Sequence, residues 1–175
     1  ALAELFLDAT VHHDRSAGQF VPASTSMMWR AADRFRRGNH EAGAADLQEA
    51  KSLTDRIADP SSRERALANL AVAETALRPA EATPAELAEL DAAIDFYRRT
   101  NANVWLGAAY VTRARAHAAK GDVRSAEHDF IAALSEVRRA RTAIQDRDAR
   151  MWFTATADDV TDHYVEFLLD QRRPV

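Results

Sequence analysis

Small residues return along this chain at matched intervals, and no other feature restricts its fold as much. From Ala31 the steps run 12 to Gly43 and 7 to Ala50, and from Ala114 they run 12 to Ala126 and 7 to Ala133. Side chains of that size let paired helices approach closely, and a fixed recurrence marks a repeat architecture. The neighbouring residues keep the same order, with Arg37-Gly38-Asn39 answering Lys120-Gly121-Asp122 and Leu47 answering Phe130. A middle copy is read at Ala68-Asn69-Leu70-Ala71, where Ala71 takes the place of Ala31 and Ala114, giving pitches of 40 and 43 residues.

Capping signals set the boundaries independently. Ser61-x-x-Glu64 after Asp59-Pro60 and Thr83-Pro84-x-Glu86 both read as capping boxes. Gly38-Asn39 and Gly121-Asp122 each read as a joint, the glycine stopping one helix and the Asn or Asp capping the next. The expected helices are 1–14, 24–37, 40–58, 62–78, 85–100, 103–119, 123–146 and 157–171, with a loop over 15–23 around Gly18 and Pro22. Five glycines and five prolines are too few to punctuate the many short strands of an all-β fold. Apolar residues make up 47% but aromatics only 7%, so alanine and leucine carry the packing. The expectation is an all-α chain, one repeat domain over 1–175 with hairpins at about 24–60, 62–100 and 103–146 and a terminal helix at 157–171. At 175 residues it can bury a core without a staple.

Several chemistries are excluded or disfavoured. With no cysteine there is no disulfide, thiolate metal site or thiol nucleophile. A net charge of −4 lacks the positive field that a phosphate backbone demands, so nucleic acid is not an expected partner. The apolar start from Ala1 to Leu7 is broken by Glu4 and ends at Asp8, which fits neither a signal peptide nor a membrane span. A cytoplasmic location is the default, no membrane association is expected, and the chain reads as a segment of a longer protein. Gly18, Gly38, Gly43, Gly107 and Gly121 form no phosphate cradle, no GxSxG elbow occurs, and no cofactor is expected.

His12-His13-Asp14 is the one metal or acid-base candidate, but adjacent histidines on a helix point about 100° apart, whereas positions four apart share a face. His128-Asp129 fails by the same geometry, so no metal and no catalytic residue is expected. Glu86, Glu89 and Asp91 with Arg98 and Arg99 read as a solvated helix face. The basic runs Arg34, Arg36, Arg37 and Arg138, Arg139, Arg141 could read a carboxylate, although cations at a helix's last turn also answer the macrodipole. Trp29, Trp105 and Trp152 lie in or beside apolar helical patterns and read as packing residues.

Over about residues 24–145 these features resemble the tetratricopeptide repeat family, whose minimal repeat is about 34 residues. The chain departs from that pattern at Arg30 and Arg113, where leucine is typical, and at Arg34 and His117, where tyrosine is. The resemblance implies a right-handed α-α superhelix that binds a protein or peptide ligand, or a neighbouring domain, along a concave groove. By family register that groove is lined by Met28, Phe35, Arg36, Arg65, Asn69, Val72, Thr75, Val111 and Arg115. Of the family's carboxylate clamp for chaperone tails only Asn69 matches, so that ligand is not expected. Asp148-Ala149-Arg150-Met151-Trp152-Phe153, then His163 to Leu169 and Arg172-Arg173-Pro174, resembles the segment joining such repeats to a CHAT domain. A regulatory arm preceding a caspase-like peptidase is thereby implied, with no catalytic site of its own. The alternatives are the peptide-sensing region of a transcription regulator and a small metal-dependent helical enzyme using His12, His13 and Asp14. A homodimer through the terminal helices is a further expected partnership.

Overall fold

The computed structural model describes residues 2–143 and 160–171, and among these the regular structure is entirely helical, with no strand. In chain order the helices are α1 (Leu2–Ser16), α2 (Phe20–Arg36), α3 (His40–Thr54), α4 (Pro60–Leu77), α5 (Pro84–Arg99), α6 (Asn103–Ala119) and α7 (Val123–Ala143), with a 3-10 turn at Pro79–Glu81. A further helix, α8, covers 160–171. The chain divides into two compact units, Ala1–Leu77 and Arg78–Val175.

In the first unit α2 packs against α1, α3 and α4. Its core joins Val11, Met27, Ala31, Leu47, Ala50 and Leu70, with Phe20, Met28 and Phe35 partly buried against it. In the second unit α6 packs against α5, α7 and the 3-10 turn. Leu90, Ile94, Ala109, Ala114, Ala126 and Phe130 are fully or almost fully buried there. Helix α8 lies on α7 through Tyr164 and Phe167, whose rings sit 5.4 and 5.2 Å from that of Phe130. The alanines expected at helix crossings, Ala31, Ala50, Ala114, Ala126 and Ala133, are all inaccessible to solvent.

The two units share one register. Helices α2 and α6 are both 17 residues long and begin at 20 and 103, an offset of 83 positions, and α3 and α7 begin at 40 and 123. The joints repeat with them. Gly38 and Gly121 adopt φ of 79° and 76°, and the following amides, of Asn39 and Asp122, each bond the carbonyl five residues back at 2.9 Å. This is the helix stop that a left-handed residue makes possible. Gly18 and Asn101 end the preceding helices in the same way, with φ of 71° and 54°. Asn is the side chain that tolerates this region best after glycine. The helix starts also keep the pitches of 40 and 43 read from Ala71, since α2, α4 and α6 begin at 20, 60 and 103, and the interval of 83 is their sum. Ala71 is a buried residue of α4, and the boundary between the units falls inside the expected 62–100 hairpin, leaving α4 and α5 in different units.

Two local expectations are corrected. The loop over 15–23 shrinks to 17–19, because Pro22 lies in the first turn of α2, where an amide has no helical partner to lose. Asp59, rather than Ser61, caps α4: its Oδ2 accepts from the Ser62 amide at 2.7 Å, with Pro60 as the first helical residue. The box at Thr83 and Glu86 is present in full, the Thr83 amide donating to Glu86 Oε2 at 2.7 Å and the Glu86 amide to Thr83 Oγ1 at 3.2 Å.

Candidate functional site

In each unit an arginine at the same register position ties three helices together. Arg30 of α2 grips Asp46 of α3 with two bonds, Nε to Oδ2 at 3.1 Å and Nη2 to Oδ1 at 2.7 Å, while Nη1 reaches Asp8 of α1 at 2.7 Å. Arg113 of α6 does the same with Asp129 of α7, both bonds at 2.7 Å, and with Asp91 of α5 at 2.5 Å. The spacings are identical, 16 residues from each arginine to the gripped aspartate and 22 back to the other. Asp46 and Asp129 are almost fully buried. A planar fork meeting a carboxylate in two parallel bonds is the arrangement in which burial of both charges is best compensated. The bond to Asp129 holds the Arg113 proton more tightly than in a free guanidinium. At Arg30 burial opposes the charge, and the bonds to Asp46 and Asp8 outweigh it.

The clamps differ in what flanks them. In the first unit Arg34 adds two more bonds to Asp46, both at 2.9 Å. Its register equivalent is His117, whose Nδ1 instead lies 3.6 Å from Asp122. A cleft of about 440 Å³ opens there, walled by Arg113, His117, Arg124, Ser125, His128 and Asp129. On the first unit a cleft of about 550 Å³ lies beside Arg30, walled by Asp8, Val11, His12, Arg15 and Ser16 of α1 and by Arg56 after α3. Arg15 pairs with Glu49, both of them half exposed. The Arg56 guanidinium stacks 4.1 Å above the Phe20 ring and makes no ion pair among the described residues.

The residues expected to line a groove differ in exposure. Met28 and Phe35 pack against the first unit's core, Asn69 and Val72 are half-buried, and Arg65 is exposed. Arg36 is exposed and reaches Asp33 at 3.3 Å. Thr75 and Val111 are 1% and 4% exposed, so they belong to the packing and not to an open surface. Arg115 is half-buried, and it and Val111 lie in the second unit, whereas the other seven lie in the first.

The basic runs are largely neutralised within the chain. Arg34 serves Asp46, Arg37 bonds Asp33 at 2.7 Å, and Arg139 bonds Glu136 at 3.0 Å. Arg138 is exposed, and the side chain of Arg141 lies outside the described residues. His12 and His13 are exposed while Asp14 is buried, and no three metal-binding side chains converge among the described residues. Two tryptophans correct the packing expectation: Trp29 and Trp105 are 60% and 47% exposed. Trp152, with 144–159 and 172–175, lies outside the described residues.

Arg15 and Arg56 are not among the site residues that the sequence singles out. Their signal is visible only once the register of 83 is known, because Arg56 aligns with Arg139 while Leu53 stands where Arg139 has its partner Glu136. No helix among the described residues is long and apolar enough to cross a membrane. No family model, curated protein or solved structure matches this chain.

Proposed function

We propose that the chain is a non-catalytic scaffold that binds a polypeptide, and that in the full-length protein it is the regulatory arm of a CHAT-type peptidase. One observation carries the scaffold reading: buried ion pairs of the described residues, those of Asp46 and Asp129, join three helices, twice over, by the same bonds. Groups held in that way keep a frame rigid and are poorly placed to exchange protons with a substrate. The polar groups left at the surface line open clefts, and large apolar side chains, Trp29, Trp105, Leu5 and Phe6 among them, stay exposed. Exposed apolar anchors with a charged rim are the composition of a polypeptide-binding face. The tetratricopeptide superhelix belongs to the same proposal. So does a polypeptide or neighbouring domain as ligand, in preference to a nucleic acid or membrane.

Selection of a random peptide library on the immobilised chain tests the scaffold reading. Enriched peptides that bind in solution with a saturable isotherm and defined stoichiometry are the expected result. A library that yields no such peptide contradicts it. The regulatory-arm reading is checked by the coding sequence beyond residue 175, where a caspase-like domain with its His and Cys is expected and its absence ends that half of the proposal.

A further inference from the structure

Arg56 is the place where the internal repeat breaks its own charge balance. In the second unit the same register position, Arg139, has Glu136 three residues before it as a partner. In the first unit that partner position is Leu53, which is buried in the core, so the repeat supplies no carboxylate to Arg56 there. What Arg56 has instead is the ring of Phe20, which lies 4.1 Å from the guanidinium carbon and, among the described residues, leaves its N–H groups without a carboxylate partner. Arg56 lines a cleft of about 550 Å³ whose other walls are Asp8, Val11, His12, Arg15, Ser16 and Arg30, with the Asp8 carboxylate engaged by Arg30. Arg15 pairs with Glu49, and both are half exposed. A pair of that kind contributes about 0–1 kcal/mol, so Arg15 can turn to a competing carboxylate at little cost. Arg30, on the same wall, is not available, because Asp46 and Asp8 occupy its donors.

We infer that this cleft is a docking site for an acidic side chain of a partner polypeptide, received by Arg56 and Arg15. The inference rests on the scaffold reading above and names the chemistry of one of its contacts. A polypeptide is favoured over a free acid because the same stripe of α1 carries an apolar anchor. Leu5 is 66% exposed and lies three positions before Asp8, and His12 and Arg15 continue that stripe along the cleft wall. A glutamate in the cleft with a leucine beside it would engage both features. A guanidinium edge presented by an aromatic ring suits a planar carboxylate, which takes two parallel bonds.

The probe is acetyl-Leu-Glu-Leu-amide, with acetyl-Leu-Gln-Leu-amide and free glutarate as comparisons. Binding is followed by the NMR shifts of the arginine Nε–H groups in the whole chain. The expected result is a saturable shift at Arg56 and Arg15 with the glutamate peptide, weaker in high salt. Affinity should fall about tenfold or more for the glutamine peptide and for Arg56→Gln, the loss that one charged hydrogen bond carries. Arg139→Gln, at the equivalent position of the second unit, should leave affinity unchanged, and Leu5→Ala should weaken the peptide but not glutarate. Unchanged thermal melting of each variant shows that it folds. Equal binding of the glutamate and glutamine peptides, or full affinity in Arg56→Gln, overturns the site. Glutarate binding as tightly as the peptide overturns the polypeptide as its occupant. If library-selected peptides bind while Arg56 stays silent, the acidic docking site fails and the scaffold reading stands.

Discussion

Phe35 and Gly43 form a matched pair, and their register equivalents, Ala118 and Ala126, form another. A Cβ placed on Gly43 would meet the Phe35 ring at 2.6 and 2.7 Å and the Ala31 carbonyl oxygen at 3.2 Å. In the second unit the register equivalents are both alanine, Ala118 and the fully buried Ala126. Gly43→Ala should therefore destabilise the chain by about 1–3 kcal/mol through overpacking. Adding Phe35→Ala should recover some of that loss, and urea unfolding of the single and double variants measures the coupling. Residue size at the crossings is legible in the sequence because it recurs in step. The role of Arg30 and Arg113 is not, since each appears only as a departure from an apolar position. What each arginine does depends on an aspartate 16 residues later that a search for small residues passes over.

The helices carry their start and stop signals locally, which is why most of their ends can be read from the sequence. Thr83, Gly38 and Gly121 act as their residue types predict. The reading fails where two signals compete. Asp59 and Ser61 both lie at the start of α4, and the residue before the proline captures the amide; Pro22 has the character of a loop residue but sits in a turn that needs no amide partner. A pH dependence follows from the caps. Hydrogen bonds from Ser62 lower the pKa of the Asp59 carboxyl, and those from Ser125 lower that of Asp122. A carboxylate depressed in the folded chain contributes stability above its unfolded pKa, about 3.9, and loses it as pH falls through the folded value. The double variant Asp59→Asn with Asp122→Asn should lose less of its melting temperature than wild type between about pH 5 and pH 2.5. The cap of α3 is Asn39, whose side chain does not titrate, so Asn39→Asp should enlarge the acid sensitivity.

At the scale of the whole molecule, the chain is a tandem of two units written in one register, and the two are tied by the same bonds. That periodicity is half visible in the sequence. The interval from Ala31 to Ala114 can be read there, and the middle copy at Ala71 divides it as the helix starts do, with α2, α4 and α6 beginning at 20, 60 and 103. The ion clamps mark the full interval of 83, since an arginine gripping an aspartate at the same two separations is far more specific than an alanine. Their differences are as informative. Arg34 against His117 alters the flank of one clamp, and Leu53 against Glu136 leaves Arg56 without an ion-pair partner among the described residues. Double-mutant cycles on both clamps, Arg30 with Asp46 and Arg113 with Asp129, each replaced by alanine singly and together and followed by urea unfolding, test this account most directly. The account predicts single losses of about 3 kcal/mol and a coupling above about 1 kcal/mol in both units. A coupling within about 0.3 kcal/mol of zero in either would contradict it.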